Sequence, residues 1–163
     1  MTAGDPAGLV ARLARSQGVR VAVAESLTSG RVASELGRGE DAGTWFRGGV
    51  VAYDEDVKFR VLGVTPGPVV TDACAREMAQ GVRRLLLADI ALGITGVGGP
   101  GPEEDCPAGT VHLAVATSGG TTSLHACLPG DPADVVEAAT QLALDELARV
   151  LGHSVRSASP AAG

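Results

Sequence analysis

At 163 residues and 45% hydrophobic content, the chain suits one domain with a sound core and leaves no room for a second. Its formal charge of -6, with no basic run and no interleaved aromatics, argues against a nucleic-acid partner. No apolar run reaches the ~18 residues a membrane span needs, and Met1-Thr2-Ala3-Gly4-Asp5-Pro6 is no secretory signal, so a cytoplasmic protein is expected.

Asp5-Pro6 supplies an N-cap with proline at the first helical position, Leu9, Val10, Leu13 and Ala14 repeat on one face, and Gly18 closes this helix. Val19 to Ala24 is a short apolar run of strand type that stops in Glu25-Ser26-Leu27-Thr28-Ser29-Gly30. Arg31 to Leu36 has the spacing of a short helix. Ser26 is therefore expected at the carboxyl end of a buried strand, where α/β folds place ligands. Amides at that helix start would attract an anion or a developing oxyanion. In the structural alternative Thr28 is simply the helix N-cap and Ser26 a turn residue.

Gly37 to Gly43 reads as a polar, glycine-rich loop, and Trp45-Phe46 as a core anchor, with part of a pocket wall as the alternative. Gly48 to Tyr53 is a second strand, after which Asp54 caps a helix carrying Val57, Val61 and Leu62 and ending at Gly63. Tyr53 and Lys58, on either side of a strand-to-helix junction, can face one crevice. Lys58 is the only lysine among 13 basic residues, and Tyr53 the only tyrosine. A lone lysine in a chain that otherwise uses arginine suits a task arginine cannot do, losing a proton near neutral pH. The alternative is a solvated surface lysine.

After Pro66-Gly67-Pro68, Thr71-Asp72 opens a longer helix with Cys74, Met78, Val82 and Leu85 on its buried face. Ile90 to Ile94 is a buried strand entering Thr95-Gly96-Val97-Gly98-Gly99-Pro100-Gly101-Pro102. Gly96, Gly98 and Gly101 match GxGxxG, but Pro102-Glu103-Glu104-Asp105-Cys106-Pro107 is no helix, and no GK[ST] follows. A Rossmann or Walker site is excluded, no cofactor is expected, and the loop is left as a shallow amide nest or a solvent-exposed crossover. Thr110 to Thr117 and Thr122 to Leu128 form an antiparallel hairpin around Ser118-Gly119-Gly120-Thr121, with His112 facing outward. Asp131-Pro132 opens a long helix whose buried face is Val136, Ala139, Ala143, Leu147, Val150 and Leu151. Gly152 is expected to stop it, giving a domain over 1–152 and a mobile tail over 153–163. The fold class is a three-layer α/β/α sandwich on a mixed, mostly parallel sheet of about five strands that includes one antiparallel hairpin.

Cys74, Cys106 and Cys127 are odd in number and form no CxxC, and His112, His125 and His153 lack ligand spacing. Neither a disulfide framework nor a metal site is expected. What remains is a serine at a strand end with a lysine or a tyrosine to take its proton, which fits acyl transfer. Backbone amides near Thr28, Ser29 and Gly30, or in the Thr95 to Gly99 loop, would serve as oxyanion donors.

Ala24-Glu25-Ser26-x-Thr28-x-Gly30, Trp45-Phe46-x-Gly48-Gly49-Val50-x-x-Tyr53-x-x-x-x-Lys58, Glu77-Met78-Ala79, Thr95-Gly96-x-x-Gly99-Pro100 and Pro107-x-Gly109-Thr110-Val111 occur in this order. Together they resemble the CinA C-terminal domain family over roughly residues 5 to 151. Members of that family include nicotinamide mononucleotide deamidases, which release ammonia and nicotinate mononucleotide. The resemblance implies a nucleotide substrate, Ser26 as nucleophile with Lys58 and Tyr53 activating it, and a homodimer. It also implies a substrate site built from Thr28, Ser29, Gly30, Thr95, Gly96, Gly98, Gly99 and Thr110. The chain departs from the family pattern at Val136-Glu137, where arginines are usual, at Glu55 for an asparagine, and at Ser29 for a frequent glycine. Arg31 and Arg47 are the candidates to replace the arginines. A catalytically weak nucleotide-binding or regulatory module and a hydrolase for a related amide without phosphate are the alternative functions.

Overall fold

The computed structural model describes residues 4–158, with side chains described through residue 154. Helix α1 (Pro6–Gln17) begins where the Asp5 carboxylate accepts from the Gly8 amide, and ends at Gly18, whose φ of 64° is the left-handed conformation that glycine adopts without strain. There follow β1 (Val21–Glu25), α2 (Arg31–Gly37), α3 (Ala42–Trp45), β2 (Phe46–Val51), α4 (Glu55–Leu62), α5 (Asp72–Leu85), β3 (Ile90–Gly96), β4 (Thr110–Thr117), β5 (Gly120–Cys127) and α6 (Pro132–Ala158).

The five strands make one sheet in the order β2-β1-β3-β4-β5. β1 is parallel to both β2 and β3, and β4 is antiparallel to β3 and β5, so four strands point one way and only β4 is reversed. Helices cover both faces, and the mixed sandwich expected from the sequence is the observed fold.

The two faces are lined differently. Val21 and Val23 of β1, Ile90, Leu92 and Ile94 of β3, and Val111, Leu113 and Val115 of β4 pack against α1, α2 and α6. Ala22, Ala24, Ala91, Ala114 and Ala116 face α4 and α5. What reads as a uniformly apolar run is thus an alternation of large and small side chains, one kind per face. The small face lets α5 lie close: a Cβ on Gly93 would stand 2.6 Å from both the Ala75 carbonyl oxygen and the Ala79 amide.

Several expectations are corrected. β1 begins at Val21 and takes in Glu25, and β2 runs from Phe46 to Val51, leaving Tyr53 two residues beyond it. The glycine-rich loop runs into the short helix α3, and the hairpin turn shrinks to Ser118-Gly119 because Gly120 already belongs to β5. Leu85 is 50% exposed rather than core, and in α6 it is Val135, not Val136, that is buried. His112 is half-buried on the α5 face, its ring stacked on His125 of β5 at 4.6 Å between centroids. Gly152 does not stop α6, which continues to Ala158. The Gln17 side-chain amide donates to the Leu151 carbonyl at 2.9 Å, fixing this stretch against α1, so tertiary contact outweighs the modest helix penalty of one glycine. Residues 159–163 of the expected tail lie outside the described residues.

Candidate active site at the carboxyl edge of the sheet

The parallel register gathers the chemistry at one edge. Ser26 continues β1 by one rung, its amide donating to the Ile94 carbonyl of β3 at 3.1 Å. Ala52, just past β2, donates to the Glu25 carbonyl at 2.7 Å, which brings Tyr53 and α4 alongside. Thr95 and Gly96 end β3, and Gly96 pairs with Val111, so Thr110 at the start of the reversed β4 arrives at the same edge. All the sequence-predicted site residues therefore follow, end or begin strands that meet there.

Their side chains are less uniformly convergent. Lys58 is 2% exposed, and its Nζ donates to the Tyr53 carbonyl oxygen at 3.1 Å. Burial pulls this amine below the ordinary lysine pKa, opposed by the carboxylates of Asp54, Glu55 and Glu103, which favour the charged form. Burial thus eases the loss of this amine's proton, the direction that a proton acceptor needs. Tyr53, by contrast, is 70% exposed, and what it presents to Lys58 is its backbone. Ser26 is 7% exposed. Among the described residues its hydroxyl makes no hydrogen bond, to Lys58 or to any other group.

Thr28 is fully buried, and its hydroxyl has no hydrogen-bond partner. It does not cap α2, whose N-cap is Gly30 at φ 95°. Ser29 precedes it in an uncommon left-handed conformation, φ 50°, and its hydroxyl reaches the Ser26 carbonyl at 3.4 Å. Thr110 is buried, and its hydroxyl closes a turn onto the Pro107 carbonyl at 2.7 Å, so it shapes the loop. The Thr95 hydroxyl is likewise engaged, donating to the Val69 carbonyl at 2.9 Å and contacting Cys74. Desolvation raises that buried cysteine to about 11, which keeps it a neutral thiol behind Lys58.

One residue that shapes this edge was given no role in the sequence. Glu25 is 1% exposed, and its two carboxylate oxygens accept from the Val32 and Ala33 amides at 2.9 and 3.0 Å. The chain's own carboxylate thus takes two of the amides at the start of α2. The available signal was a glutamate ending an apolar strand ahead of a helix with no side-chain cap of its own. Of the candidate oxyanion donors, Ser29 bonds to Ser26 and Val97 to the Thr110 carbonyl. Among the described residues the amides of Leu27, Thr28, Gly30, Gly98 and Gly99 have no protein acceptor.

The two candidate arginines divide. Arg31, the first residue of α2, stands at this edge but pairs with Glu137 at 2.6 Å, both side chains largely exposed. Arg47 lies beside the start of β1 and donates to the Leu86 carbonyl at 2.9 Å, at the opposite end of the sheet. A cavity of about 700 Å³ also opens at that opposite end, between Arg12, Arg15, Arg20, Thr44 and Trp45, and contains none of the predicted residues. Among the described residues no cluster of three or more His, Cys, Asp or Glu is placed to hold a metal, and no helix is long and apolar enough to cross a membrane.

The profile of the CinA C-terminal domain matches residues 5–151. A CinA-like protein of Frankia casuarinae is 40% identical over 149 residues, covering 88% of this chain and 34% of that protein. The crystal structure of a competence-damaged protein (CinA) superfamily protein from Klebsiella pneumoniae 700603 superposes with a TM-score of 0.87 at 34% identity, covering 91% of this chain and 97% of that one. The competence damage-inducible protein A (ComA) from Klebsiella pneumoniae subsp. pneumoniae MGH 78578 gives 0.88 at 35% identity, covering 91% and 96%. The chain spans about a third of the length of the curated relatives it matches.

Proposed function

The chain belongs to the CinA C-terminal domain family, and on that premise we propose that it is a serine amidohydrolase acting on a nicotinamide-type carboxamide. Nicotinamide mononucleotide is the substrate that the family resemblance brings forward. Ser26 attacks the carboxamide carbon, Lys58 takes the serine proton and later returns one to the departing ammonia, and water resolves the acyl-enzyme. Amides among Leu27, Thr28, Gly30, Gly98 and Gly99 receive the oxyanion. Tyr53 contributes through its carbonyl, which orients the lysine.

The observation that carries this reading is the burial of the chain's one lysine, at 2% exposure, with its amine on the carbonyl oxygen of Tyr53, the residue after the Ala52 that hydrogen-bonds to Glu25 at the end of β1. The test is ammonia release from nicotinamide mononucleotide by the wild type, Ser26→Ala and Lys58→Ala. Release by the wild type and a loss of about a thousandfold in each variant support the reading. No release by the wild type, or unchanged release by either variant, overturns it.

The unbonded Ser26 hydroxyl favours a second reading, a nucleotide-binding module with little turnover. Binding of the nucleotide in calorimetry without ammonia release would establish it. A homodimer belongs to the same proposal and is tested by sedimentation.

A further inference from the structure

A net charge of -6 conceals a basic end of the molecule. The cavity of about 700 Å³ at the amino edge of the sheet is lined by the last turns of α1, by Val19 and Arg20 ahead of β1, and by Thr44 and Trp45 of α3. Its volume is that of a small-molecule site. It opens at the far end of the sheet from Ser26, so its occupancy is independent of the amidohydrolase reading.

The fold gathers here what the sequence keeps apart. Arg12 and Arg15 stand three residues apart on α1 and share a face, and left-handed Gly18 turns the chain so that Arg20 lines the same cavity. The other polar side chains of the lining spend their protons inside the protein. Ser16 donates to the Leu13 carbonyl at 3.1 Å, Thr44 to the Asp41 carbonyl at 2.8 Å, and Trp45 Nε1 to the Glu40 carbonyl at 3.0 Å. Arg15 is held by Glu40 at 3.3 Å and Asp41 at 2.8 Å. Among the described residues the Arg12 and Arg20 guanidiniums have neither a hydrogen bond nor an ion pair. Nearby, Arg47 and Arg83 donate to the Leu86 and Asp89 carbonyls, neutral acceptors that leave their charge in place.

Two unpaired guanidiniums in one concavity, each a fixed charge with five donors, match an anion that carries several charges and many acceptor oxygens. A carboxylate satisfies one of them, and a diphosphate satisfies both.

We propose that this cavity binds a diphosphate group, free or borne by a nucleoside, through Arg12 and Arg20.

The test is calorimetry of the purified chain in low salt with inorganic pyrophosphate and with ADP, on the wild type, Arg12→Gln, Arg20→Gln and Arg84→Gln. Arg84 is likewise exposed and unpartnered but lies outside the cavity, so its variant removes the same charge without touching the lining. The wild type is expected to bind pyrophosphate, the first two variants to lose about fivefold or more each, and Arg84→Gln to stay within about twofold. Tighter binding of ADP, lost in the same two variants, supports the proposal and assigns the cavity to a nucleoside-borne diphosphate; equal or weaker binding of ADP supports it and assigns the free anion. No binding of either probe overturns the proposal, as does an equal loss in Arg84→Gln, which would mean surface charge alone. Unchanged affinity in both Arg12→Gln and Arg20→Gln also overturns it and places the anion elsewhere on the protein.

Discussion

Lys58 Nζ donates to the carbonyl oxygen of Tyr53 at 3.1 Å, while the tyrosine itself is 70% exposed. The amine is positioned by main chain, which any residue at 53 supplies. Tyr53→Phe is therefore expected to keep at least about a tenth of the ammonia-release rate, against a loss of about a thousandfold in Lys58→Ala. Steady-state kinetics on the two variants checks this, and equal losses would assign the phenol a direct role.

The same burial sets a pH dependence. Desolvation disfavours protonated Lys58, so the base form appears below the ~10.4 of an unperturbed lysine, and the rate should rise with pH through that lowered value. Asp54, Glu55 and Glu103 act in the opposite sense, hence Glu55→Gln should move the rise to lower pH. Between the lowered value and ~10.4 the unfolded chain binds more protons at this group than the folded one, so here stability increases with pH. Lys58→Met removes the buried charge and is expected to leave the protein as stable or up to about 1 kcal/mol more stable at neutral pH, while inactive. Chemical denaturation across pH reads the stability effects.

Ser29 holds φ 50° next to the buried Thr28. A left-handed non-glycine residue costs about 1 kcal/mol, part of which is recovered when glycine replaces it, against glycine's own entropy. Ser29→Gly should raise stability by up to about 1 kcal/mol, and Ser29→Ala should not. The Tm of each variant separates them.

Gly93 lies under α5 with no room for a methyl group. Gly93→Ala should lower stability by about 1–3 kcal/mol. Because α5 carries Cys74 behind Lys58, the variant should also lower activity beyond its loss of folded protein, read as activity per folded molecule.

How much of this was legible depends on the range of the interaction. The Ser26 junction, the Asp5, Asp54 and Thr71 caps and the Gly63 stop are local, set by residues within one turn, and they appear where the sequence puts them. The burial of Lys58 is not local. It requires α5 to close over α4, which the Ala22, Ala24, Ala91 and Gly93 face permits, and period-two reading treats those residues as equivalent to their Val and Leu neighbours. Glu25 was read as the polar boundary of a strand, because its partners, Val32 and Ala33, lie seven and eight residues on across a turn. Gly152 carries a sound stop signal that the contact between Gln17 and Leu151 overrides. The exposure of the Tyr53 side chain follows from β2 ending at Val51 on the sheet margin, a boundary two residues earlier than its apolar pattern suggests.

Ser26 donates its amide to Ile94 in β3, the middle strand of the five. Its backbone is thereby part of the central ladder, which opens only when the whole domain unfolds. Deuterium uptake at this position should be among the slowest in the molecule, unlike that of an ordinary connecting loop. The main chain that carries the Ser26 hydroxyl is then held by the sheet itself and not by the loop that follows it.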